Sequence, residues 1–226
     1  MTTLEMTDTS VSELNNMFTP KNIIDISLPL NKQTVIYPGN PLFSMEKIQS
    51  PGGSRLAKIC FGTHFGTHAD APSHVFADGK NIDALPLSDF IGPCRVLDAA
   101  ECQNAVSKEY LEKSVIKIGE RILLKTKNSE RGYKEFYKDY IYLSADAAKY
   151  LADKDIKLLG MDYFSIKEKG SPDNTSHTAL LEKNISILEG INLSHVEPGE
   201  YFLVAPPLAL TGADGSPVRA LLLKSS

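Results

Sequence analysis

Tryptophan is absent from the 226-residue chain, so any aromatic wall around a ligand must be built from Phe or Tyr. Cysteine is scarce, with three residues at Cys60, Cys94 and Cys102. An odd count without a C-x-x-C pair argues against a disulfide framework and against a thiolate zinc knuckle. Cys60 and Cys94 lie in apolar runs and read as buried small hydrophobes rather than nucleophiles. No apolar stretch reaches the length of a membrane span. The opening M-T-T-L-E-M-T-D-T-S lacks the basic and apolar regions of a signal peptide. No G-x-G-x-x-G follows a strand pattern, which argues against a dinucleotide site. The net charge of −4 favours neither nucleic acid nor an anionic membrane as partner. A reducing cytoplasm is the simplest compartment for such a chain.

The length fits one domain with a substantial core and no need of disulfides. Residues 1–21 read as a polar N-terminal arm and residues 22–226 as a single domain. Strand patterns fall at Ile23–Leu28, Leu56–Phe61, Arg95–Asp98, Ile122–Lys125, Lys157–Met161, Ile185–Leu188, Tyr201–Ala205 and Val218–Leu223. Ser107 is placed to cap a helix through Lys113, and Ser144 a second over Ala145–Ala152. A short helix is expected over His177–Leu181. Lys127–Tyr140 reads as a charged, aromatic surface excursion, and Lys167–Asn174 as a loop. Strands outnumber helices, which predicts a mixed α/β domain around a β-rich core rather than a doubly wound parallel sheet.

Chemistry concentrates in Thr63–His74, T-H-F-G-T-H-A-D-A-P-S-H, which holds three of the five histidines. His64, His68, Asp70 and His74 occupy even positions. Alternate residues of an extended strand face one side, so the segment is expected to aim three imidazoles and a carboxylate at one point. A helix would also align His64 with His68, but Gly62, Gly66 and Pro72 disfavour one. Imidazole and carboxylate together form a coordination shell for a divalent metal such as zinc or manganese. Three ligands suffice for one catalytic ion, which leaves His74 unassigned. His177, at a loop-to-helix junction, and Glu189, at a strand end, are further candidates that spacing alone does not place. His195, in L-S-H-V-E-P-G, reads as a surface histidine.

The segment H-F-G-T-H-A-D-A-P-S-H resembles the signature H-x-G-T-H-x-D-x-P-x-H of the cyclase family of metal-dependent hydrolases, which includes bacterial kynurenine formamidases and isatin hydrolases. The resemblance extends to N-I-I-D-I-S-L-P-L at residues 22–30 and D-G-K-N-I-D-A-L-P-L-S-D-F-I-G-P at residues 78–93. It continues through L-L-G-M-D-Y-F-S-I and P-L-A-L-T-G-A-D-G-S-P-V-R-A, so it covers about residues 22–224. It implies a β-rich swivelling β/β/α domain assembled as a homodimer or homotetramer. It further implies that His64, His68 and Asp70 bind one ion. Asp70 would then bridge to a second ion held also by His74, His177 and Glu189. Isatin-hydrolase-like members carry Gln at the last position and use one metal, commonly manganese. Glu189 therefore tilts this chain towards the two-metal, formamidase-like pattern.

The function expected from this resemblance is hydrolysis of the N-formyl amide of an arylformamide such as N-formylkynurenine. A zinc ion lowers the pKa of bound water from ~15.7 to ~7 and so supplies a nucleophile at working pH. His74 is the candidate catalytic proton donor to the leaving nitrogen when it is not a ligand. Thr67, Ser73 or a backbone N–H would orient the carbonyl. Phe43 and Phe65 are the candidate substrate-binding aromatics, while Phe76 reads as core. The alternatives are a ring-opening hydrolase of a cyclic amide and a metal-binding protein without turnover.

Overall fold

The computed structural model describes residues 18–224. Most of the expected polar arm therefore lies outside the described residues, and only its end is seen, as a 3₁₀ turn at Pro20–Asn22. The strands that follow are β1 (Ile23–Asp25), β2 (Ser44–Gln49), β3 (Arg55–Cys60), β4 (His68–Asp70), β5 (Ile91–Asp98), β6 (Ala105–Val106), β7 (Arg121–Lys125), β8 (Tyr142–Leu143), β9 (Leu158–Met161), β10 (Ser186–Glu189), β11 (Gly199–Val204), β12 (Gly215–Pro217) and β13 (Leu221–Leu223). Nine of them form one mixed sheet in the order β1-β13-β11-β5-β7-β9-β10-β4-β12. The centre, β5 to β10, is parallel, and both flanks are antiparallel. The result is the mixed, strand-rich α/β architecture that the strand count predicts.

The central strands are apolar on both faces because both faces are covered, as parallel strands require. Alternate residues separate two cores. Leu124, Leu159 and Ile187 face one side, where Ala147, Ala148, Leu151, Leu180 and Leu181 pack against them from two helices. Those helices are Ala145–Asp153 and Thr175–Glu182. Leu123, Leu158 and Leu188 face the other side, with Ile191, Leu203 and Leu222. Each such buried leucine contributes roughly 1.5–3 kcal/mol. Ser107 and Ser144 cap their helices as expected, accepting from the N–H groups of Tyr110 and Ala147.

Three expectations need correction, and one strand was not foreseen. The motif strand turns out at Pro72 as expected but is shorter than expected: only His68–Asp70 is extended in the sheet, His64 lies in a turn, and Pro72–His74 is a 3₁₀ turn. Proline lacks the N–H a ladder needs, so the strand ends before it. Cys60 is exposed, because it ends β3 in a β2–β3 hairpin whose strands are exposed along their whole length. Its partner strand Ser44–Gln49 carries no buried face and left no strand signal in the sequence. Lys127–Tyr140 is not wholly surface: it opens with a helix, Lys127–Arg131, that buries Asn128 and Ser129. Among the described residues no helix is long and apolar enough to cross a membrane.

Candidate metal centre

Three neighbouring strands at one side of the sheet assemble the site. On β4, His68 and Asp70 are two residues apart and share a face. Glu189 ends β10 directly opposite His68, so its carboxylate falls on the same face. On the other side of β4, Gly215 of β12 pairs with Asp70, which brings the preceding residue, Asp214, up to the motif. The turn before β4 supplies His64 and the 3₁₀ turn after it supplies His74. His177 comes from the first turn of the Thr175–Glu182 helix, held down by Leu180 and Leu181.

Asp70 is fully buried, and its two oxygens face different histidines. Its Oδ1 lies 2.8 Å from His64 Nδ1 and 3.5 Å from His68 Nε2. Its Oδ2 lies 3.7 Å from His177 Nε2 and has no hydrogen-bond partner among the described residues. Glu189 is buried alongside: Oε2 is 3.3 Å from His68 Nε2, and Oε1 is 3.3 Å from His177 Nε2. Oε1 also accepts from the Ile166 N–H at 2.6 Å. Two triads, His64–His68–Asp70 and Asp70–His74–His177, each offer ligand atoms within 4.8 Å of one another. A third, His64–His74–Asp214, meets the same distance.

Ring tautomers follow from the outer partners. The Gly66 carbonyl can only accept, so His68 Nδ1, 2.9 Å away, carries a proton, and Nε2 is the atom that faces Asp70 and Glu189. His64 stands between two carboxylates, with Nδ1 on Asp70 and Nε2 2.9 Å from Asp214 Oδ2. Burial alone would push its pKa down, but Asp70 and then Asp214 outweigh burial and raise it to about 9. Asp70 is held far below the usual carboxylate range, the His64 charge overcoming the opposing effect of burial. Glu189 also ends below its ordinary value, since the His177 and His68 rings outweigh burial and the Asp70 charge.

Two carboxylates buried within a ring of imidazoles, one with an unpaired oxygen, are costly without a cation. That donor set, nitrogen and carboxylate oxygen with no thiolate, fits a divalent metal. The structure thus brings together all six residues that the resemblance named. Asp214, which sequence reasoning did not single out, joins them. The distance of 150 residues from His64 hides it, and only the weak signal of an acidic residue in the turn T-G-A-D-G-S-P marks it in the sequence.

Beside these groups opens a cavity of about 230 Å³, lined by Tyr37, Asn40, Phe164, Ser165, Lys167 and Asn174 as well as the ring of histidines and Glu189. Phe43 and Phe65 are not on this wall. Phe65 is 1% exposed and stacks between Phe43 and Phe61. The Thr67 hydroxyl is buried and committed, donating to the Gly190 carbonyl and accepting from the Leu28 N–H. Ser73 Oγ is buried without a partner among the described residues. His195 is exposed and does not line this cavity; its ring bonds to Ser194 and the Asp25 carbonyl.

The profile of a family described as "Putative cyclase" matches residues 24–168. A kynurenine formamidase of Bacillus anthracis is 39% identical over 203 residues, covering 88% of this chain and 96% of its own. A solved structure from Bacillus stearothermophilus, described as a "predicted metal-dependent hydrolase", is 33% identical with a TM-score of 0.79, over 88% of this chain and 97% of its own. Isatin hydrolase A from Labrenzia aggregata shares the fold, with a TM-score of 0.82 at 23% identity over 96% of this chain and 100% of its own. From the signature at His64–His74, the matched profile and these relatives, the chain belongs to the cyclase family.

Proposed function

We propose that this protein is a metal-dependent amidohydrolase that cleaves the N-formyl amide of an arylformamide such as N-formylkynurenine. The observation that carries the reading is Asp70, buried with one oxygen towards His64 and His68 and the other towards His177. In this reading Asp70 would help hold two ions, one together with His64 and His68 and the other together with His74, His177 and Glu189. Zinc is the metal proposed, with manganese acceptable to the same donors. A metal held there would lower the pKa of a water molecule towards neutrality and polarise the formyl carbonyl.

The residues supply the rest. His68 and Asp70 stand on one short strand between two paired neighbours, so their geometry is fixed before substrate arrives. Tyr37 and Phe164 present aromatic surface for an aryl group, and Lys167 a positive charge for a substrate carboxylate. His74, with its side chain 32% exposed, stands at the edge of the cluster. Where His74 is not needed to hold an ion, its ring would give the departing aryl nitrogen a proton as the C–N bond breaks; where a second ion is held, His74 would be one of the residues that hold it. The products are formate and the free arylamine. The formamidase of B. anthracis, 39% identical, supports the substrate class.

Chelator-stripped protein should hydrolyse N-formylkynurenine only after zinc or manganese is restored. A panel adding isatin and lactones tests the ring-opening alternative. Turnover of isatin but not of the formamide would replace this reading, and metal binding without turnover of any member would leave a binding protein.

A cytoplasmic homodimer or homotetramer belongs to the same proposal. The β2–β3 hairpin supports assembly, since Met45, Ile48, Leu56 and Ile59 are exposed on it and an isolated hairpin is marginal in water. Light scattering after size exclusion should give a multiple of the chain mass, and Ile48→Asp with Leu56→Asp should reduce it to that of one chain.

A further inference from the structure

Among the groups around the cluster, Asp214 has no place in either proposed ligand set, yet it touches both ends of the motif. Its Oδ2 lies 2.9 Å from His64 Nε2 and 3.4 Å from His74 Nδ1. Its Oδ1 accepts the Thr63 hydroxyl at 2.8 Å. Its backbone is also tied in, the Ala71 N–H donating to the Asp214 carbonyl at 3.0 Å. The next residue is a glycine for a steric reason. A Cβ on Gly215 would stand 2.8 Å from His64 Cε1 and 2.8 Å from the Ala69 carbonyl oxygen. The bare glycine lets the His64 ring lie between Asp70 and Asp214.

We infer that Asp214 is a positioning residue, whose carboxylate holds His64 and His74 from behind and turns His64 Nδ1 towards Asp70. A histidine that gives one nitrogen to a metal needs a partner for the other, and that partner fixes the ring's tautomer and angle. For His68 the partner is the Gly66 carbonyl. For His64 it is Asp214, an anion, which strengthens the ring as a donor more than a neutral carbonyl does. A single oxygen serving two rings sets them at a fixed relation, with centroids 4.1 Å apart. One residue thus couples the two proposed ion positions from outside. The inference rests on the metal reading above.

The test measures zinc affinity by competition with a chromophoric chelator and counts ions per chain, with no substrate present. Asp214 is in a half-exposed loop position, and circular dichroism confirms the fold of each variant. Asp214→Ala should weaken zinc binding about 10–100-fold with the number of ions unchanged. Asp214→Asn, which keeps an acceptor oxygen without the charge, should fall between the two. Thr63→Val, which only loosens the carboxylate, should shift affinity the same way by a smaller factor. The His64 Nε2–H proton resonance should move in Asp214→Asn. Unchanged affinity in Asp214→Ala overturns the inference while leaving the metal reading intact. Loss of one ion per chain overturns it too, since Asp214 would then be a ligand. Wild-type protein that binds no zinc removes the metal reading itself.

Discussion

At the residue scale, Asp70 carries the heaviest demand, because a carboxylate with an unpaired buried oxygen is tolerated only if something positive meets it. Asp70→Asn keeps the shape and removes the charge. It should lower metal affinity by more than about 100-fold, beyond what loss of an outer partner costs, as read by metal analysis after dialysis. Full activity in metal-free Asp70→Asn protein would sink the mechanism. His64 gives the pH dependence. In metal-free protein its pKa is raised from 6.5 to about 9, so the folded state holds the proton more tightly than the unfolded chain. That stabilisation is full below pH 6.5 and is lost as pH rises through 9. A metal must displace the same proton. Zinc affinity should therefore fall about tenfold per pH unit as pH drops below 9, which chelator competition at several pH values would show. Gly215→Ala places a methyl against His64 and the Ala69 carbonyl. It should cost about 1–3 kcal/mol of stability and weaken metal binding, read by urea melts and the same competition.

At the scale of elements, the site depends on a three-residue strand, β4, that is too short to hold itself. It is fixed by β10 on one side and β12 on the other. A further support is the helix Lys127–Arg131, capped locally by Thr126, whose hydroxyl accepts from the Asn128 N–H, and held from outside its own segment by Asp162. Asp162, fully buried, accepts from the N–H and hydroxyl of Thr126 and from the N–H of Ser129. Ser129 Oγ in turn accepts from the Leu193 N–H, just beyond the Glu189 turn. Asp162→Ala would strand two buried N–H groups at about 1–3 kcal/mol each. Thermal unfolding should register a loss of about 2–6 kcal/mol, well above the ~1 kcal/mol expected for Ser144→Ala at an ordinary helix cap. The sequence marked the Ser144 cap because Ser, helix and apolar spacing are contiguous. It read Lys127–Tyr140 as surface because the capping carboxylate is 36 residues from Thr126.

At the scale of the whole molecule, one mixed sheet with a core on each face sets the positions of everything else. The buried runs at Ile122–Leu124, Leu158–Met161 and Ile187–Leu188 were legible because both faces of those strands are covered, and continuous hydrophobicity is what such strands require. The hairpin partner Ser44–Gln49 was not, since neither of its faces enters a core of this chain. The motif itself was legible as a metal-binding constellation from composition and spacing, with its exit at Pro72, although its strand covers only His68–Asp70. Local order alone determined the choice of donors: imidazole and carboxylate set within a dozen residues, with cysteine too sparse for a thiolate site. Only the tertiary structure decided that Glu189 stands opposite His68, that His177 and Asp214 close the ring, and that Phe65 is core rather than cavity wall. Those relations span 107 to 150 residues of chain for His177 and Asp214. They come from strand register and helix packing, which arise from the burial of the whole sheet and leave no trace in local spacing.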